Sequence, residues 1–154
     1  MPSTIRVDQD VAAPPDVVWG LVSDITRMGE WSPESTGGAW VKGATGPVVG
    51  ARFKGKNRNG RRSWSTDCTV VEVEPGRTFA FEVTSGPLAV ATWRYDIEPT
   101  PTGCRVTETW VDDRGKIVSL LGKPVSGVAD RAAHNEAGMV ETLRRLADAA
   151  TASV

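Results

Sequence analysis

Between residues 51 and 111 the chain alternates strand-like stretches with tight-turn signals, and further on it carries one long amphipathic helical stretch. Few architectures accommodate both. Ala51 to Asn57 reads as a strand, Asn59-Gly60 as a hairpin turn, and Arg61 to Glu74 as a long strand closed by Pro75-Gly76. Thr78 to Thr84 puts Phe79, Phe81 and Val83 on one face. After the turn Ser85-Gly86-Pro87, Ala89 to Glu98 puts Ala91, Trp93, Tyr95 and Ile97 on one face. Pro99 to Gly103 turns the chain again, and Cys104 to Val111 aligns Cys104, Val106, Glu108 and Trp110. A bulge near Thr69 to Val71 would flip the parity of the long strand and decide which way Trp64 faces.

Upstream, Thr4 to Val11 suits a strand with one buried face. Pro14-Pro15 and Asp16 suit a helix start, followed by Val17, Val18, Leu21, Val22 and Ile25 at helical spacing. Asp24 is placed to cap a second short helix, which Gly29 is expected to stop. Glu30 to Gly38 reads as turn chemistry around one exposed aromatic, Trp31, and Trp40-Val41 as a short strand. The C-terminal helix is expected from about Val125, just after Pro124, to Ala150. Its small or apolar face runs through Val128, Ala132, Met139, Leu143, Leu146 and Ala150.

Consecutive strands joined by short turns imply an antiparallel meander, hence an α+β fold of about seven strands, two short helices and one long helix. A helix is roughly 10 Å across. It cannot fill a wide, bent sheet alone, so either large side chains close the gap or a cavity remains. Six of the ten aromatic residues are Trp, a side chain suited to lining such a cavity. With no repeat, low-complexity segment or composition shift, one domain spanning 1–154 is the simplest account.

Composition narrows the function. A formal net charge of -1 gives no bulk pull toward nucleic acid or anionic lipid. No apolar run is long enough to cross a bilayer, and the N-terminus lacks a secretory signal pattern, so a cytoplasmic location is expected. Cys68 and Cys104 read as reduced residues buried in strands. One histidine and two widely spaced cysteines argue against zinc. No phosphate-binding glycine motif or strained serine nucleophile is present, so neither metal nor cofactor is expected. The basic cluster Lys54, Lys56, Arg58, Arg61 and Arg62 reads as a solvated hairpin edge.

Several segments, in this order, resemble the START-like (SRPBCC) superfamily. They are PPDVVWGLVSDITRMGEWSPE, VVEVEPGRTFAFEV, TWRYDIEPT, GCRVTETW and NEAGMVETLRRLADAA. The likeness is greatest to the bacterial polyketide cyclase/dehydrase-like branch, and it covers nearly the whole chain. It implies a helix-grip fold, with a curved sheet wrapped around the C-terminal helix and a hydrophobic cavity between them. The superfamily includes lipid carriers, hormone and pigment binders, cyclases, chaperone regulators and ring-hydroxylase subunits, so the fold leaves the function open.

The candidate ligand-contacting residues are Trp31, Trp64, Phe81, Trp93, Tyr95, Glu108, Trp110, Arg131, Asn135 and Met139. Trp31 is either a gate or a plug at one end of the core. Glu108, on the inner face, is either an acid/base or polar anchor of raised pKa, or one half of a salt bridge to a helix residue such as Arg131. His134, the only histidine, is either a surface residue or, with Glu108, the proton-transfer pair of an enzyme. Asn135 with Arg131 is the alternative pair. Binding or transport of a small hydrophobic molecule (a lipid, polyketide or aromatic metabolite) is the leading expectation. A polyketide cyclase or dehydratase, and a protein-interaction module with a filled core, are the rivals. The protein is expected as a monomer or homodimer.

Overall fold

The computed structural model describes residues 4–114 and 130–154. The elements run β1 (Thr4–Val11), α1 (Pro15–Val22), a 3-10 helix (Ile25–Glu30), β2 (Ser35–Val41), β3 (Arg52–Asn59), β4 (Arg62–Glu74), β5 (Thr78–Ser85), β6 (Leu88–Thr100), β7 (Gly103–Asp112) and α2 (Arg131–Ala152). All seven strands join one antiparallel sheet in the order β1-β7-β6-β5-β4-β3-β2. This is the expected helix-grip arrangement of a curved sheet and a long C-terminal helix.

The curvature has local causes. The register shifts between Ser35 and Gly37, between Val70 and Glu72, and between Val83 and Thr84. Each shift bends its strand and sharpens the twist. The second lies where the sequence places the bulge that sets the facing of Trp64.

Two local expectations are corrected. Ser35 to Gly38 is not a turn but the first half of β2, and Gly29 does not stop the 3-10 helix, which continues to Glu30. The glycines serve close packing instead. A Cβ on Gly38 would lie 2.9 Å from the Ile25 carbonyl oxygen, and one on Gly29 would lie 3.1 Å from the Thr36 carbonyl carbon. The 3-10 helix thus sits backbone to backbone on β2, and two glycines admit it. Asp24 caps that helix as expected, its side chain accepting from the Thr26 N–H.

The C-terminal helix also starts later than expected. Asp130 has an extended backbone and its side chain accepts from Ala133 N–H, so it is the N-cap and Arg131 the first helical residue. The earlier part of the expected helix, from Val125 and including Val128, lies outside the described residues, as does Pro124. The 22 residues of α2 span about 33 Å. Met139, Leu143, Leu146 and Ala150 are buried, and α2 packs against β1 and α1. Cys68 and Cys104 are free and buried on β4 and β7.

Candidate functional site

A cavity of about 500 Å³ lies between the sheet and α2. Its lining comes from β3 to β7, Arg114 just after β7, α2, Val22 at the end of α1 and the segment from Met28 to Ser35. The β3–β4 and β5–β6 turns, the end of β7 and the start of α2 all lie at one end of the meander. There the lining includes the exposed residues Ser65, Ser85 and Leu88. Phe53, Cys68, Phe81 and Met139 are buried walls, whereas Trp64, Trp93, Arg131 and His134 are half-buried and Pro33 is exposed.

The aromatic wall follows from strand register. Phe81 pairs with Trp93, Trp93 with Trp110, and Tyr95 with Glu108, so alternate residues of three neighbouring strands share the inner face. The Trp93 and Trp110 rings lie 6.3 Å apart in a tilted pair. Four of the six tryptophans, Trp31, Trp64, Trp93 and Trp110, line the cavity. The other two serve the frame. Trp19 donates its indole N–H to the Thr78 carbonyl at 2.9 Å, and Trp40 packs edge-on to Phe53. All ten candidate contact residues lie on the cavity wall, as does His134.

Trp31 is a correction. The Gly/Ser/Pro surroundings suggested exposure, but it is only 2% exposed, with the Arg27 guanidinium 5.4 Å from its ring centroid. It closes the cavity from the 3-10 helix side.

Among the described residues Glu108 is the one Asp, Glu, Lys or Arg that is buried. It is 2% exposed, and its Oε2 accepts a 2.7 Å hydrogen bond from the Tyr95 hydroxyl. Its Oε1 is buried and, among the described residues, has no hydrogen-bond partner. Burial pushes the carboxyl up to about 8, against a smaller lowering by the Tyr95 bond. Burial also raises the Tyr95 hydroxyl well above its ordinary value. The salt bridge expected between Glu108 and Arg131 is not made. Arg131 bonds Glu34 instead, at 2.6 Å, and also donates to Asn135 Oδ1 at 3.2 Å.

Arg131, Glu34, His134 and Asn135 form a second polar cluster where α2 begins. Arg131 stands 5.8 Å from the Trp64 ring centroid, a cation–π distance. His134 Nε2 lies 3.2 Å from Glu34 Oε2, within ion-pair range, and among the described residues Oε2 makes no hydrogen bond. His134 therefore pairs with Glu34 and not with Glu108. Its side chain is 39% exposed, between the surface and cavity roles the sequence allows. Glu34 is the residue that sequence reasoning missed. It lies 97 positions from Arg131, in a stretch whose only local signal is turn chemistry. Arg114, which also lines the cavity, is held by Asp112 through bonds of 2.8 and 2.9 Å.

Among the described residues no cluster of His, Cys, Asp and Glu has the form of a metal site, and no helix is long and apolar enough to cross a membrane.

Comparison with known proteins agrees with this geometry. The sequence profile of a family described as polyketide cyclase / dehydrase and lipid transport matches residues 3–151. Among solved structures, a Polyketide_cyc-like protein of Corynebacterium glutamicum is 34% identical, with TM-score 0.55, covering 99% of this chain and 85% of that one. The di-domain ARO/CYC StfQ of the steffimycin biosynthetic pathway shares the fold at TM-score 0.76 and 15% identity; all of this chain aligns to 53% of that one. Major latex-like protein 151 of Panax ginseng shares it at TM-score 0.73 and 11% identity, over 97% of each chain. No curated protein matches the sequence. The chain belongs to the polyketide cyclase/dehydrase and lipid transport family, within the START-like superfamily.

Proposed function

We propose that this protein binds or carries one small, mainly apolar, ring-containing molecule between its sheet and α2, in a single domain spanning 1–154. The observation that carries the reading is the cavity itself. About 500 Å³ of space, faced by four tryptophans and Phe81, is within the size range of small-molecule sites. Aromatic walls suit a ligand with rings, and because Arg131 is paired with Glu34 and Arg114 with Asp112, the polar groups suit orientation more than recognition of a highly charged molecule. Trp31, Trp64, Phe81, Trp93, Trp110 and Met139 are assigned to apolar contact, and Tyr95, Glu108, Arg131 and Asn135 to polar contact. The cavity also weighs against a purely protein-interacting role, which requires a filled core.

Titration with the neutral, apolar fluorophore N-phenyl-1-naphthylamine tests the reading. Saturable one-to-one binding that quenches tryptophan emission supports it. Only weak, unsaturable partitioning rejects it.

A cyclase or dehydratase is the second reading, and Glu108 is the observation that favours it. A carboxyl of raised pKa, beside a phenol in an apolar cavity, is equipped for general acid chemistry. His134 contributes to that chemistry only if ligand binding draws it away from Glu34. Chromatography and mass spectrometry of a bound ligand after prolonged incubation separate the readings. A carrier returns it unchanged, and an enzyme returns a cyclised or dehydrated product.

A further inference from the structure

We propose that Glu108 selects the inner end of the ligand: the cavity takes an apolar, ring-containing molecule bearing an uncharged acceptor, a carbonyl oxygen, to which Glu108 Oε1 donates a hydrogen bond. The inference rests on the ligand-binding reading above and names the chemistry of that ligand.

The proton can be placed from the bonding pattern. The Tyr95 hydroxyl donates to Oε2, which makes Oε2 the accepting, carbonyl-type oxygen of the carboxyl group. The acid proton then belongs on Oε1, the buried oxygen with no partner among the described residues. A carboxyl of pKa about 8 keeps that proton at neutral pH. The other titratable groups on the cavity wall are Tyr95 on β6, Cys68 on β4, Glu34, Arg114 after β7, and Arg131 and His134 on α2. Among the described residues only Tyr95 bonds Glu108; Arg114 is committed to Asp112, and Arg131 to Glu34. No described cation is bonded to the inner carboxyl to offset a ligand carboxylate there, whereas a donor waits for an acceptor. An unsatisfied donor in an apolar setting is costly, and a ligand carbonyl relieves that cost where a hydrocarbon of the same shape does not.

Fluorenone and fluorene, alike in shape and differing in one carbonyl, are the probes. Titrations of the whole chain, followed by tryptophan fluorescence at about pH 6.5, should show fluorenone binding about tenfold more tightly. Glu108→Leu should abolish the preference. Glu108→Gln, which keeps one acceptor and one donor, should retain it. At about pH 9.5 the wild type should lose the preference as the proton leaves, and Glu108→Gln should not. The infrared carbonyl stretch of bound fluorenone should fall in the wild type and in Glu108→Gln, but not in Glu108→Leu. This readout would not move if Glu108 were merely structural. Equal, saturable binding of both probes to the wild type removes the selection by Glu108 and leaves the cavity reading standing, as does an intact preference in Glu108→Leu. Saturable binding of neither probe removes the selection by Glu108 and, where N-phenyl-1-naphthylamine also fails to bind saturably, the cavity reading with it.

Discussion

Tyr95 and Glu108 stand directly opposite each other in the β6–β7 register, and the phenol closes a 2.7 Å hydrogen bond onto the carboxyl across that pair. Cross-strand partners on one face lie within side-chain reach. The bond therefore follows from an alternation of residues together with the turn at Pro101-Thr102 that sets the register. Its effect is to hold an acid in an apolar cavity with one oxygen engaged and one unengaged.

That acid makes stability depend on pH. The folded-state carboxyl titrates near 8 against an ordinary value of 4.5. Between those values the folded protein holds a proton that the unfolded chain has lost. The stabilising contribution is complete below about 4.5, declines as pH rises, and is gone above about 8. Glu108→Gln should flatten this part of the profile and be the more stable protein at about pH 8.5, by roughly 2–5 kcal/mol. Urea denaturation across the range checks it; an unchanged slope would place the titration elsewhere.

Leu143 is 1% exposed on the inner face of α2. Leu143→Ala should cost roughly 2–5 kcal/mol, the range for emptying a close-packed site. A loss well below 1 kcal/mol by denaturant titration would mean that α2 does not anchor on the sheet through this residue.

Trp93 and Trp110 form a cross-strand pair, but Trp110 is 2% exposed while Trp93 is only partly buried. Trp110→Ala should cost about 3–5 kcal/mol of stability. Trp93→Ala should cost less, yet weaken binding of N-phenyl-1-naphthylamine by about tenfold, since the loss of a ligand-facing ring is felt mainly in the complex. Equal stability losses with unchanged binding would assign both rings to the core.

The fold was legible because its signals are local and repetitive. The Phe79/Phe81, Trp93/Tyr95 and Glu108/Trp110 alternations specify which faces turn inward, and the tight turns between them specify antiparallel neighbours. The glycines around the 3-10 helix misled because a glycine that frees the backbone for a turn and one that makes room for another backbone look alike in sequence. Gly29 and Gly38 are of the second kind. The cavity wall was legible from the same alternation. The Glu34–Arg131 contact was not, since it joins residues 97 positions apart and depends on where α2 begins. The start of α2 was obscured because Asp130, its cap, lies within an otherwise helix-compatible stretch.

That long-range contact is itself testable. Glu34 and Arg131 are only 21% and 14% exposed and lie 2.6 Å apart. Arg131→Ala should cost about 1–3 kcal/mol by denaturant titration, because a partly buried carboxylate loses a charged donor. It should also change Trp64 emission, since the guanidinium leaves the ring. Unchanged stability and emission would show that the cluster does not tie α2 to the sheet in solution.

Cys68 is buried, and burial pushes its thiol up to about 12. Burial likewise raises the Cys104 thiol. Both should resist iodoacetamide in the native protein and react promptly in urea, because the thiolate is the reacting form. Rapid native alkylation at Cys68, located by peptide mass spectrometry, would show that the cavity wall opens at β4.

The central claim is that the space between sheet and α2 holds a small apolar molecule. Native mass spectrometry of the purified protein, with identification of whatever dissociates on activation, addresses it most directly. The account predicts a one-to-one adduct with a small ring-containing compound, diminished in Trp93→Ala. A spectrum of bare protein, together with no saturable uptake of fluorenone, fluorene or N-phenyl-1-naphthylamine, would contradict it.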